Sequence, residues 1–313
     1  MKMPRTIQTT LLSVFLVVTA TADECVVSGS ADSTLAPHGR GNVYAPDIVT
    51  YHGEFLMFFG GQGKDGHDRI HLARSKNGVE WKQDGVVFAP SGVNHVNDPS
   101  VVVVGGDLYM FYTLAVTGVT DSIGLAKSKD GRNWTDRGAV LAPSKVPAWD
   151  SLLVGRPSVL YDGVRFHMWY DGRKDLPSGA PDPDAPKSGS SCRFVGYATS
   201  PDGVKWLRRK EPVFGEDAGG VHVSKHGNVF IMVIESRNGT KWAASNDGVA
   251  WESRGVLQPK GQESPYGHVT PLLLGENGEH RLYYGAAAAA TWDQNSIYSA
   301  CVKLPKPLGT TKR

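Results

Sequence analysis

SKNGVEW (Ser75–Trp81), SKDGRNW (Ser128–Trp134), SPDGVKW (Ser200–Trp206) and SNDGVAW (Ser245–Trp251) are one string written four times. The common form is Ser-x-Asp/Asn-Gly-x-x-Trp. An Asp/Asn-Gly pair between apolar runs signals a hairpin, because both residues accept positive φ. The Trp that follows suits a core between neighbouring units. Internal repetition at this spacing decides the fold before any single residue does.

Each string sits in a larger frame. Upstream lie a strand, a Gly turn and a second strand rich in aromatics and Met. The second strands read EFLMFFG, DLYMFYT, VRFHMWYDG, NVFIMVIES and EHRLYYG, after Gly53, Gly106, Gly163, Gly227 and Gly278. That makes five units, the fifth without a Trp hairpin. The strings start 53, 72 and 45 residues apart, and the long gap contains LPSGAPDPDAPKSGSS, a Pro/Gly/Ser-rich insertion loop. Amphipathic helix periodicity is absent. Five four-stranded antiparallel units imply an all-β, five-bladed β-propeller. Its blades are expected over 45–90, 97–142, 155–214, 219–258 and 267–304. The last unit is one strand short, and DECVVSGS (Asp23–Ser30) is expected to fill the gap and close the ring. That closure would set Cys25 beside Cys301, where a disulfide would staple it; Cys192 is left over.

Residues 1–22 read as a signal peptide. Lys2 and Arg5 precede the apolar run Leu11–Ala20, and Ala20-Thr21-Ala22 supplies a small-x-small cleavage site. The run is too short to span a bilayer, so no membrane span is expected. Residues 23–313 form a single domain, expected to be a secreted or periplasmic monomer. Loss of Lys2 and Arg5 takes the 33 basic residues to 31, against 31 acidic ones. A neutral chain has no long-range field to collect a polyanion, which argues against nucleic acid.

In such blades the inner strand starts at the mouth of the central channel and the second strand ends there. The inner strands begin at Asp47 (YAPDIV), Asp98 (NDPSVVVV), Arg156 (GRPSVL), His222 (GVHVSK) and His268 (YGHVTP). All five are ionisable, and DPSVVVVG aligned with RPSVLYDG puts Arg156 at the register of Asp98. The loops after the second strands add Asp65, His67 and Asp68, then Asp121, Asp171 and Arg173, Glu235 and Arg237, and Trp292 and Asp293. Carboxylates, guanidinium and imidazole around an aromatic platform suit a carbohydrate substrate: hydroxyls need paired donors and acceptors, and a sugar's apolar face stacks on Trp.

On YAPDIV, NDPSVV, the repeated Asp-Gly-x-x-Trp hairpins and YGHVTP, the chain resembles the five-bladed glycoside hydrolases of families 43, 32, 62, 117 and 130. LYYGAAAAATWD is similar to the last blade of family 130. The resemblance implies a glycosidase, with Asp47 as general base and Asp98 tuning the acid. The third-blade Glu of family 43, two residues before a Pro, is Gly155 here, and Arg156 beside it cannot release a proton. The acid is therefore Glu235 or His268, unless Glu235 is paired with Arg237 or Arg156. Arg156, His222, Asp171, Arg173 and Trp292 would hold substrate. The resemblance implies no cofactor and no metal in catalysis, and allows a central ion beside His268. Three readings follow: an inverting glycosidase acting on a plant or algal glycan, a non-catalytic carbohydrate-binding propeller, and a phosphorylase.

Overall fold

The computed structural model describes residues 23–29, 41–116, 120–215, 218–276, 279–287 and 294–304. Five four-stranded antiparallel sheets make up the ring. Blade 1 holds Val43–Tyr51, Glu54–Gln62, Asp68–Ser75 and Lys82–Phe88, from channel to rim. Blade 2 holds His95–Val104, Asp107–Ala115, Asp121–Ser128 and Trp134–Leu141. Blade 3 holds Leu153–Tyr161, Phe166–Arg173, Phe194–Ser200 and Leu207–Arg208. Blade 4 holds Val221–His226, Val229–Ile234, Gly239–Ser245 and Glu252–Pro259. Blade 5 holds Val269–Glu276, Glu279–Ala286 and Ser296–Val302, with Glu24–Val27 as its outermost strand. The N-terminal strand thus closes the ring, as the missing strand of the fifth unit requires. No helix of the described residues is long and apolar enough to cross a membrane.

The apolar second strands are what the blades pack with. Phe58, Leu108, Met110 and Tyr112 fill the core between blades 1 and 2. Corresponding clusters lie between blades 2 and 3, 3 and 4, 4 and 5, and 5 and 1. Each repeat Trp packs on one of them: Trp134, Trp206, Trp251 and Trp81.

The repeated string joins the third and fourth strands, by a mechanism other than the one its dipeptide suggests. Only the glycines take positive φ: Gly78, Gly131, Gly203 and Gly248 at 71 to 75°. The Asp or Asn works through its side chain instead. Asp202 Oδ1 accepts the amides of Val204 and Lys205 at 2.8 Å each, while Ser200 Oγ accepts the Gly203 amide at 2.8 Å. The other three copies repeat this Asx geometry.

The disulfide expectation is corrected by register. Cys25 stands opposite Tyr298, and no disulfide joins Cys25 to Cys301. Cys301 lies three residues further along its strand, roughly 10 Å away. A disulfide needs Cα atoms within about 7 Å. The insertion of blade 3 folds into a two-residue parallel ladder, Leu176–Pro177 with Lys187–Ser188. Residues 1–22, Trp292 and Asp293 lie outside the described residues.

Candidate functional site

The mouth is built by one backbone device repeated around the ring. The pairing of inner with second strand slips between Tyr44 and Asp47, Asn97 and Ser100, Gly155 and Ser158, and Val269 and Leu272. The bulged residues are Ala45, Asp98, Arg156 and Thr270, each followed by a Pro and each at positive φ, between 38 and 53°. Gly220 takes the same place in blade 4 at 51°. Proline cannot donate to the ladder, which is why the bulge falls there. A non-glycine residue held at positive φ costs on the order of 1–3 kcal/mol, and such strain collects at functional sites.

Alignment on this bulge sorts the five inner-strand residues into three levels. Asp98 and Arg156 share the bulge level, together with Thr270. Asp47 and His222 stand two residues further along, at the position of Ser100 and Ser158. That position ties blade to blade. Asp47 Oδ2 accepts the Val101 amide at 2.7 Å, Ser100 Oγ the Val159 amide at 3.0 Å, and Ser158 Oγ the Val223 amide at 2.8 Å. Burial pushes the Asp47 carboxyl up to about 7, against the Val101 hydrogen bond. His222 Nε2 lies 3.9 Å from Asp47 Oδ1, and burial pulls its pKa down to about 4. His268 falls two residues before the bulge. It is fully buried, stacked on Tyr284 at 3.7 Å, with Nδ1 2.8 Å from Thr240 Oγ1. Among the described residues no three metal-ligating side chains come together.

A cavity of about 330 Å³ opens at the bulge level. Its wall includes Asp98, Arg156 and Thr270 from the bulges, and Tyr44, Asn97 and Gly155 just before them. Asp171 enters from a second strand, and Asp68, Asp121 and Arg193 from the starts of third strands. Burial pushes the Asp98 carboxyl up to about 6, against the pull of Arg156. Burial first, then the like charges of Asp171 and Asp98, push Asp121 up to about 7. Among the described residues Asp98 Oδ1 and Asp171 Oδ1 are buried without a hydrogen-bond partner, so both can accept from a ligand.

Arg156 holds the centre of this array. Its Nη1 donates to Glu235 Oε1 at 3.1 Å, and its Nε lies 4.0 Å from Asp171 Oδ2, which also takes Arg193 Nη1. Burial works against the guanidinium charge, and Glu235, Asp171 and Asp98 together overcome it and raise its pKa further. The second oxygen of Glu235 accepts the Thr270 amide at 3.1 Å. Glu235 is thus paired with Arg156, and it lines a neighbouring cavity with Arg173 and Arg237 rather than the one holding Asp98. Gly155 explains the missing inner-strand Glu. A Cβ there would stand 3.1 Å from Thr113 Oγ1 and 3.7 Å from Asp171 Oδ1, so the carboxylate enters over the glycine from the second strand.

Asp98, Arg156 and Asp171 are therefore brought together, Glu235 touches them through Arg156, and Asp47, His222 and His268 stand apart from the wall. Arg193, Tyr44, Asn97 and Thr113 had no place in the sequence reading. The prolines were the available signal: alignment on Pro46, Pro99, Pro157 and Pro271, rather than on charge, separates Asp47 from Asp98.

No family model matches the chain, and no curated protein matches it. Solved structures do. A glycoside hydrolase superposes with a TM-score of 0.69 at 20% identity, covering 93% of this chain and 94% of that one. A family 117 glycoside hydrolase from the marine bacterium Zobellia galactanivorans gives 0.69 at 14% identity, covering 90% and 89%. A structure of the family 130 mannoside phosphorylases, which contain hydrolases targeting beta-1,2 mannosidic linkages in Candida mannan, gives 0.63 at 15%, covering 95% and 99%. At these identities the likeness establishes a shared five-bladed fold.

Proposed function

We propose that this protein is a secreted glycoside hydrolase that cleaves a plant or algal glycan in the cavity at the bulge level. The observation that carries the reading is the pair Asp98 and Asp121, in one cavity wall, with carboxyls raised to about 6 and about 7. Burial raises both carboxyls, so one can hold a proton near neutrality while its neighbour is ionised, the division of labour glycoside hydrolysis requires. Asp98, whose ionised form the Arg156 guanidinium favours, takes a proton from water as the water oxygen attacks the anomeric carbon. Asp121 gives its proton to the leaving glycosidic oxygen, and the bond to the anomeric carbon breaks. Water as the direct nucleophile inverts the anomeric configuration.

The remaining residues position the substrate. Arg156 and Arg193 are set by Glu235 and Asp171. Tyr44 OH donates to Asp68 at 2.7 Å and accepts from Asn97 Nδ2 at 2.9 Å, which leaves an acceptor lone pair for a sugar hydroxyl. Glu235 acts as a positioning residue for Arg156. Asp47 supports the channel floor through Val101, three residues after Asp98. Hydrolases among the structures of the same fold support this reading, as do the leader-like features of residues 1–22 for export.

Incubation with arabinans, xylans, fructans and algal galactans in phosphate-free buffer tests it. Release of a reducing sugar that does not depend on phosphate, and that Asp98→Asn abolishes, is the expected result. Turnover only with added phosphate would make the enzyme a phosphorylase. Binding of a glycan without turnover would make it a carbohydrate-binding propeller.

A further inference from the structure

A second cavity, of about 340 Å³, lies beside the first between blades 3 and 4. The two share Arg193 in their walls. The Arg156–Glu235 ion pair joins the residues of one to the other. Their charges are opposite. The first wall carries Asp68, Asp98, Asp121 and Asp171 against Arg156 and Arg193. Among the described residues the second carries Arg173, Arg193, Arg237 and Lys241 against Glu235; Glu235 is engaged by Arg156 and Arg193 by Asp171, which still leaves an excess of positive charge.

We infer that the second cavity is a subsite for an anionic sugar unit, one bearing a carboxylate or a sulfate ester, adjacent to the scissile bond. The inference rests on the glycosidase reading and names its substrate class. Guanidinium groups match planar and tetrahedral oxyanions by paired, charge-assisted hydrogen bonds. Arg173 comes from the end of the second strand of blade 3 and is only 7% exposed. A cation so placed contributes more to a bound anion than a surface lysine does, since water screens it less. Arg193, at the start of the third strand, faces both cavities. Arg237 and Lys241 reach the same space from blade 4. Phe214, Ala218 and Ile234 provide an apolar flank for a sugar ring. The overall charge of the chain near zero gives no hint of this, because the cations gather locally. The fit is to a short glycan whose reacting sugar sits among carboxylates and whose neighbour carries the charge.

Binding of the Asp98→Asn protein to an array of plant and algal glycans tests the inference without cleavage. The array carries uronate-containing, sulfated and neutral members. Acidic glycans are expected to be bound in preference to neutral ones, with affinity falling as salt rises. Adding Arg237→Gln, Lys241→Gln or both is expected to reduce the acid-over-neutral preference about two- to fivefold per cation removed. Arg237 is exposed and Lys241 half-buried, so these variants should fold. Uronate and sulfate members separate the two sources of charge. Exclusive binding of neutral glycans, no binding of acidic ones, or a preference undiminished in the double variant overturns the subsite. Cleavage of neutral glycans alone removes the subsite and keeps the hydrolase; acid-selective binding without cleavage by the wild type does the reverse.

Discussion

At the scale of the residue, the site depends on carboxyls kept from ionising at their ordinary pH. For Asp121 the cause is burial together with Asp171 and Asp98. The folded value, about 7, exceeds the unfolded 3.8. The folded state therefore holds a proton that the unfolded state has lost between those two values. The associated stability is complete below pH 3.8 and is lost as pH rises through 7. Asp121→Asn removes that loss. Its melting temperature should exceed that of wild type at pH 8, and the gain should shrink toward pH 5. An equal difference at both pH values would mean that Asp121 is not desolvated in the way described. The same residue illustrates what the sequence carried. Asp121 stood out as a loop carboxylate, but nothing in the string around it reveals that blades 2 and 3 bury it. Arg193 was harder to see, since it follows a 16-residue insertion that obscures its equivalence to Asp68 and Asp121.

At the scale of the element, the Asx hairpin and the Pro bulge do different work. The hairpin tips lock blade to blade. Gly131, at φ 73°, would place a Cβ 3.2 Å from Leu56 and 3.3 Å from Phe58, in the core between blades 1 and 2. Gly138, at φ 71°, has no atom of the described residues within 4 Å of such a Cβ. Gly138→Ala should cost only the left-handed backbone strain, about 1–2 kcal/mol. Gly131→Ala should cost that and roughly 1–3 kcal/mol more for overpacking. Urea denaturation of the two variants measures the difference; equal losses would show that the tip does not engage the core. The hairpins were fully legible, because four copies of one string leave little freedom. Their turn chemistry was not, since Asp-Gly serves both a positive-φ pair and an Asx turn. The bulge was half legible. Arg156 aligned with Asp98 on the shared x-Pro-Ser, whereas Asp47 follows its proline and His222 has none, so charge pulled both into a false register.

At the scale of the molecule, ring closure makes the cavity one object rather than five strand ends. Glu24–Val27 pairs with Ser296–Val302 and buries Val27 in the core between blades 5 and 1. The count of strands in the fifth unit announced this closure. The register of its cysteines was not announced, since a shift of three residues leaves the hydrophobic pattern of so short a strand readable either way. With Cys25 and Cys301 apart, reductant should leave the melting temperature of the purified protein unchanged; a fall of several degrees would restore the staple.

The central claim is that the bulge level, not the tie level two residues on, is where bonds are broken. The direct measurement is kcat/KM against pH for wild type and for Asp98→Asn, Asp121→Asn and Asp47→Asn on the best glycan. Wild type should give a bell whose two limbs lie above the ordinary carboxylate range, around pH 6–7. Asp98→Asn and Asp121→Asn should each lose about 10²–10⁴-fold. Asp47→Asn, which keeps an oxygen for the Val101 amide, should retain the bell within about tenfold. Loss of all turnover in Asp47→Asn, with Asp121→Asn near wild type, would contradict the account and return the base to Asp47.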